Sequence, residues 1–494
     1  MTTSNRREVI IVTSHDNIII GLEIHVQLTK LKTKLFCSCS SKYRGAEPNT
    51  YVCPICIGLP GSLPVLNEKA VEFAMKLAIA LGCKINKSMY FFRKNYFYPD
   101  LPKGFQITQY NKAGGKAFGD GGKVIIKKKS GKKEILLNRI HIEEDPGRLV
   151  HKGSIVSSPY TLVDYNRSGV CLIEIVTEPV INSPEEAREF LNQLKSIIQY
   201  CGIADLDLEG SVRVDANISI KGHARSEIKN INSFKEVQRA LKWEIRRQKN
   251  FIKRNKLLKQ ETRHWDDSRR VTVGLRSKEF EKDYRYFPEQ DLVPIELKKS
   301  YIEKIKNYLP EMPNARMKRF QNQYGLSEFD SEILVMDKDI ADFYEEAVNS
   351  EKDFESKEYK LLCNWLKGDI SRWLNLQNKK ITDTDLTPIQ VVNLVKLIEE
   401  GRITGKIAKS VIGDMMLGTP IKKILKQQGK KRIADEEKLS SICKKVIQEN
   451  SEIIKDYKTN PRALEALIGK CMKETHGQAD PKITRKLLLE YIEK

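Results

Sequence analysis

Gly21-Leu22-Glu23-Ile24-His25-Val26-Gln27-Leu28 alternates apolar and polar residues, and its reading decides how the first half of the chain is built. Successive side chains of a strand point to opposite faces, so Leu22, Ile24, Val26 and Leu28 share one face and Glu23, His25 and Gln27 the other. The apolar face needs a core to join. The polar face sets a carboxylate and an imidazole about 7 Å apart along the strand, close enough to share a divalent cation. Four thiols follow as two close pairs, Cys37-Ser38-Cys39 and Cys53-Pro54-Ile55-Cys56, the spacing by which a loop is clipped onto zinc. Four thiolates leave no open coordination position, so the expected Zn2+ site is structural.

Outward from this stretch, β-branched runs separated by Gly and Pro turns recur from about residue 7 to 298, among them Val9-Ile10-Ile11-Val12, Lys123-Val124-Ile125-Ile126 and Ser211-Val212-Arg213-Val214-Asp215. Helices interrupt them. Ser183-Pro184-Glu185-Glu186 is a capping box with proline at the first helical position; it opens a helix that carries Phe190, Leu191, Leu194, Ile197, Ile198 and Cys201 on one face and stops at Gly202. A second helix is predicted between Asn67 and Gly82. After Pro294 helical periodicity with frequent Lys/Glu pairs replaces the alternation. The expected fold is α+β over residues 1–298, followed by an all-α helical domain over 299–400 and a basic helical tail domain over 401–494.

A chain of 494 residues is too long for one core, and three domains agree with a size of about 150 residues each. Lys and Arg outnumber Asp and Glu by 86 to 65, a net charge of +21. Such a balance favours a polyanion of tRNA size over a small acidic metabolite. The last 94 residues hold 21 basic and 12 acidic side chains, which makes the tail a candidate RNA contact or, more blandly, a solvated face. Ten cysteines with no apolar leader at the N-terminus read as thiols and ligands in a reducing compartment. No apolar run reaches the length of a membrane span, so a cytoplasmic protein without membrane attachment is expected.

Acidic residues recur in strand-like settings: His141-Ile142-Glu143-Glu144-Asp145, Leu172-Ile173-Glu174-Ile175-Val176, Asp215 and Glu227. Glu174 lies between Ile and Val on both sides, and a buried carboxylate there must be paired, neutral or bound to a cation. Each alone reads as a salt bridge on a sheet face. Together with Glu23 and His25 they supply hard ligands for Mg2+ and a nucleotide's phosphates. Lys94 opens the loop Lys94-Asn95-Tyr96-Phe97-Tyr98-Pro99-Asp100-Leu101-Pro102-Lys103-Gly104-Phe105-Gln106, whose lysines suit phosphate and whose tyrosines suit stacking. Asp283-Tyr284-Arg285-Tyr286-Phe287-Pro288-Glu289 repeats that texture. The glycines of 114–122 contain no GxxxxGK[ST] and read as hairpin turns; if ATP binds here, side-chain-held Mg2+ must do the work of a P-loop.

These motifs, in this order, resemble the B subunits of aspartyl/glutamyl-tRNA(Asn/Gln) amidotransferases. The likeness runs through Gly21 to His25, Ala46-Glu-Pro-Asn49, Leu59-Pro-Gly61, Lys94 to Gln106, His141 to Gly147, Ile173 to Pro179, Asp215-Ala-Asn217, Lys229 to Phe234 and Asp283 to Glu289. It implies an antiparallel-sheet cradle, a helical domain and a tail that contacts tRNA. It also implies one component of a ligase that phosphorylates the side-chain carboxylate of misacylated Asp-tRNA(Asn) or Glu-tRNA(Gln) with ATP and amidates it with ammonia from glutamine. By matching motif, Glu23, His25, Glu144, Glu174, Asp215 and Glu227 look like the Mg2+ and phosphate site, with Glu144 preferred over Glu143. Arg213 joins Asp215 and Glu227 on the nucleotide, and Lys94 looks like a phosphate or ammonia-path residue. Some members lack the four cysteines, so zinc is expected to support the cradle loop alone. This chain has neither a Ser-Lys amidase signature nor a Cys-His glutaminase arrangement; the resemblance implies a heterotrimer with an amidase, the A subunit, plus a small partner, the C subunit. A related archaeal Glu-specific protein carries an extra inserted domain for which this chain has no room. The alternative is a noncatalytic, zinc-stabilised tRNA-binding scaffold.

Overall fold

The computed structural model describes residues 18–492 except 129–130, 152–157, 276–283, 352–353, 428–435, 451–452, 455–456, 458–462 and 476–477. The Val9–Val12 run and Asp283 lie outside the described residues. The principal elements of the first half are β1 (Ile18–Gln27), α1 (Glu68–Ala80), β2 (Phe92–Asn95), β3 (Phe105–Thr108), β4 (Lys123–Lys128), β5 (Gly131–Glu144), β6 (Cys171–Thr177), α2 (Pro184–Cys201), β7 (Val212–Ile220), β8 (Ser226–Ile231), α3 (Phe234–Lys253), β9 (Glu261–Asp266) and β10 (Val271–Gly274). They build one large sheet in the order β10-β9-β8-β7-β1-β6-β5-β3-β2, with β1 near its centre.

The alternation of β1 does what it predicts. Leu22, Ile24 and Val26 are buried with Ile173 and Ile175 of β6 and Val214, Ala216 and Ile218 of β7. The same core takes Ala74 and Leu77 of α1, Phe190, Leu191, Leu194 and Ile198 of α2, and Val237, Ala240 and Leu241 of α3. Ser183 caps α2 by accepting from the Glu186 amide, and Gly202 ends the helix at φ 67°. The Glu186 carboxylate accepts from Asn182 N instead of closing the box onto Ser183. Asn67 caps α1 by accepting from the Lys69 and Ala70 amides.

One pairing departs from the antiparallel expectation. β8 and β9 run parallel, because α3 carries the chain along the sheet between them, and parallel neighbours require such a crossover. The sheet is therefore mixed.

The first compact unit ends at Met312, not at residue 298. Helix α4 (Lys299–Asn307) lays Tyr301, Ile302 and Ile305 on the first core, so it belongs with the sheet although its sequence texture is that of the helical half. Among its described residues the second unit, Pro313–Lys494, is helical and holds two apolar cores, one spanning Met317 to Ile424 and one Leu439 to Leu488. The expected break at residue 400 falls inside the former. Helices Pro388–Glu399 and Gly405–Met416 share that core through Val391, Leu394 and Val395 on one side and Ile407, Val411 and Met415 on the other. Gly401, at φ 67°, ends a helix without ending a domain. Among the described residues no helix is long and apolar enough to cross a membrane.

Candidate active site on the polar face of the sheet

Antiparallel register gathers the acidic residues around β1. His25 stands opposite Glu174 of β6 and Arg213 of β7, and Glu23 opposite Asp215. One strand further, His141 of β5 stands opposite Glu174, and Glu143 opposite Leu172. Directly paired residues share a face, so the polar side of β1 becomes the floor of a carboxylate-rich site. The Nε2 of His25 lies 3.6 Å from Glu23 Oε1, 3.4 Å from Glu143 Oε1 and 3.8 Å from Glu174 Oε2. Glu143 also accepts from Thr108 Oγ1 at 3.1 Å. On the other oxygen of Glu174 converge Arg139 at 3.2 Å and His141 Nδ1 at 3.4 Å.

Glu143, not Glu144, belongs to this cluster. Adjacent residues of a strand point to opposite faces, and Glu144 turns away to meet Lys103 Nζ at 2.7 Å and the Ile107 amide at 2.8 Å. It is a buried structural ion pair. The remaining expected residues stand around the cluster. Asp215 accepts from Asn230 N at 2.7 Å and lies 3.5 Å from Lys229 Nζ, which also meets Glu227 at 3.0 Å. Lys229 thus pairs with both, and Glu227, opposite Asn217 on β7, is not among the carboxylates that meet His25. Lys94 holds its ammonium 5.0 Å from the Tyr284 ring centre and 5.8 Å from that of Tyr96.

The electrostatics follow from crowding in a dry site. Burial first, then Glu174 and Asp215, push Glu23 up to about 8. Burial, then Glu174, push Glu143 up to about 7. Burial and Arg213 press His25 down to about 4, so it is neutral and able to donate a lone pair. Burial works to raise Glu174 as well, but the hydrogen bond and charge of His141, with the charge of Arg139, outweigh it and hold Glu174 below the usual carboxylate range. One ionised carboxylate, two carboxyls that keep their protons near neutrality and a neutral imidazole form a set that a divalent cation would complete. Glu23, His25 and Glu174 each offer a ligand atom within 4.8 Å of the others, and oxygen-rich donors of this kind fit Mg2+.

The four cysteines likewise meet, their Sγ atoms within 4.8 Å of one another, and all are free thiols. Cys53 precedes the helical turn Pro54–Ile57, whose fold brings Cys56 Sγ to within 3.2 Å of the Cys53 amide. Lys34, wholly buried, points its ammonium at Tyr51 O (2.8 Å) and Cys56 Sγ (3.5 Å). The Cys37 thiol and Lys34 hold Cys56 down to about 4, as a thiolate. The donor set fits zinc.

Sequence reading put His141 and Glu143 in a candidate acidic stretch but preferred Glu144, and it did not single out Arg139 or the contact of Lys229 with Asp215. For Glu143 and His141 the signal was present: two residues apart on one strand, they must share a face. Arg139, two residues before His141 on the same strand, shares that face by the same rule, whereas the contact of Lys229 with Asp215 needs the cross-strand register.

Residues 18–303 match the family model described as the GatB/GatE catalytic domain, and residues 342–492 match that described as the GatB domain. The B subunit of the aspartyl/glutamyl-tRNA(Asn/Gln) amidotransferase of Sulfurisphaera tokodaii is 48% identical over 471 residues, covering 95% of this chain and 98% of the relative. The proteins of the same name from Carboxydothermus hydrogenoformans and Thermotoga maritima are 46% and 44% identical, each covering 96% of this chain and 98% of the relative.

Proposed function

We propose that this chain, which belongs to the family of aspartyl/glutamyl-tRNA(Asn/Gln) amidotransferase B subunits, activates the side-chain carboxylate of misacylated Asp-tRNA(Asn) or Glu-tRNA(Gln) with ATP and amidates it. A carboxylate is a poor electrophile. Its attack on the γ-phosphorus of ATP releases ADP and gives an acyl phosphate; ammonia then displaces phosphate and leaves the amide. Glu23, His25 and Glu174, with Glu143 beside them, would hold Mg2+, which would supply charge neutralisation on the phosphates. Arg213 and Lys94 orient anionic oxygens beside that set, and Lys229, which also meets Glu227, helps to keep Asp215 ionised next to it. Burial, then Arg213, keeps His25 neutral and so able to ligate a cation. Cys37, Cys39, Cys53 and Cys56 would hold structural Zn2+, which would brace their loop. Ammonia comes from glutamine through a partner amidase, the A subunit, and a small C subunit completes a cytoplasmic heterotrimer.

The observation that carries this reading is the convergence of Glu23, Glu143 and Glu174 on one imidazole nitrogen. Structural salt bridges pair a carboxylate with a cation; here three carboxyl groups crowd one neutral imidazole and two of them are driven towards the protonated form, an arrangement whose electrostatic cost points to a cation or phosphate chemistry. Amidation by the co-expressed complex tests it. The proposal predicts ATP-dependent turnover that Glu23→Gln abolishes, and turnover without ATP would contradict it.

A further inference from the structure

Between Phe234 and Lys259 the chain holds ten basic residues and two acidic ones, a denser excess than in the tail. Both acidic residues are consumed internally. Glu244, fully buried, binds Arg247, Gln248 and Thr272, and Glu236 binds Arg239 and the Trp265 indole. Lys242 meets Glu185 at 2.7 Å. Lys235, Arg246, Lys249, Lys253, Arg254, Lys256 and Lys259 have no carboxylate partner among the described residues.

Helical spacing places Trp243, Arg246, Asn250 and Arg254 along one outward stripe of α3 and its C-terminal end. They line a cleft of about 370 Å³ together with Arg247, Phe251 and Lys256. Trp243 is 37% exposed, and Lys256 lies over the Phe251 ring at 6.0 Å. An exposed indole flanked by unpaired cations is the combination that holds a nucleic-acid strand, cations on phosphates and the ring under a base. Protein interfaces also gather aromatic residues and arginine but are depleted of lysine, so Lys249, Lys253, Lys256 and Lys259 around this cleft favour a polyanion. We infer that the outer face of α3 is an RNA-binding surface, gripping phosphodiester backbone with one base on Trp243. Because α3 buries Val237, Ala240 and Leu241 in the core on the apolar side of the sheet, the segment bound there is not the aminoacylated end; it is a part of the tRNA body. This assignment of the RNA rests on the function proposed above.

The test is a salt titration of binding between the full chain in its co-expressed complex and a tRNA transcript. Replacing Arg246, Lys249 and Arg254 by Gln should weaken binding by about tenfold and flatten the slope of log affinity against log salt by about 2, at roughly 0.7–0.9 per lost phosphate contact. Trp243→Ala should weaken binding with the slope unchanged, since stacking releases no counterions. Amidation at saturating tRNA and the melting temperature should stay at wild-type values. The pair Lys253→Gln and Lys256→Gln gives an independent reading of the same slope. An unchanged slope in both multiple variants overturns the inference, as does loss of assembly with the partner chains while RNA binding stays intact. A flattened slope alongside a wild-type complex that does not amidate upholds the surface and removes the function.

Discussion

Glu143 and Glu144 are neighbours of identical chemistry, and the pleat alone separates their roles. Glu143→Gln, on the His25 face, should cut amidation by about 10²-fold with little change in melting temperature. Glu144→Gln should leave the Lys103 ammonium buried and unpaired, lowering stability by about 3–5 kcal/mol, while the folded fraction keeps its turnover. Steady-state kinetics and thermal melts on the two variants separate these outcomes. The raised carboxyls also predict a pH signature for metal-free protein. Unfolded, Glu23 and Glu143 lose protons near 4.5; folded, near 8 and 7. Over that window the native state binds more protons, so stability falls as pH rises. Mg2+ replaces those protons, and its gain in melting temperature should be larger at pH 8 than at pH 5; an equal gain at both would count against the site. At this scale the sequence was half legible: Glu23, His25 and Glu174 were readable from alternation, whereas a motif alignment chose Glu144 where the period-2 rule, applied to His141 and Glu143, chooses its neighbour.

Elements were read best where one local rule governs them. The alternation of β1 specified its buried face, and Ser183, Pro184 and Gly202 specified the ends of α2, because caps and pleats are decided within a few residues. The parallel pairing of β8 with β9 was not legible, since it depends on where α3 delivers the chain. The cysteine loop was legible because thiol spacing is itself the constraint. Purified protein should carry stoichiometric zinc that Cys53→Ser loses, with faster proteolysis between residues 37 and 64. Metal analysis showing no zinc in the wild type would return the four cysteines to simple packing.

Across the whole molecule, composition and packing disagree about where units end. Helical texture begins near residue 298 and basic charge concentrates after 400, yet burial assigns α4 to the sheet and carries the second core to Ile424. Texture reports which secondary structure a segment favours; which core it joins is set by distant partners. Removing residues 428–494 should therefore leave a folded protein with weaker tRNA binding, a flatter salt dependence and intact ATP binding. Removing 401–494 should give an insoluble one, because it strips Ile407, Val411 and Met415 from their core and each such loss costs about 2–5 kcal/mol. Expression and thermal melts of both truncations check this. The central claim is that the cluster on the polar face of β1 performs ATP-dependent amidation, and its most direct test is the co-expressed complex supplied separately with Asp-tRNA and Glu-tRNA, wild type against His25→Ala. The account predicts ATP-dependent formation of Asn-tRNA or Gln-tRNA in the wild type, and loss of that product with tRNA binding retained in the variant; amidation at the wild-type rate by His25→Ala would contradict it.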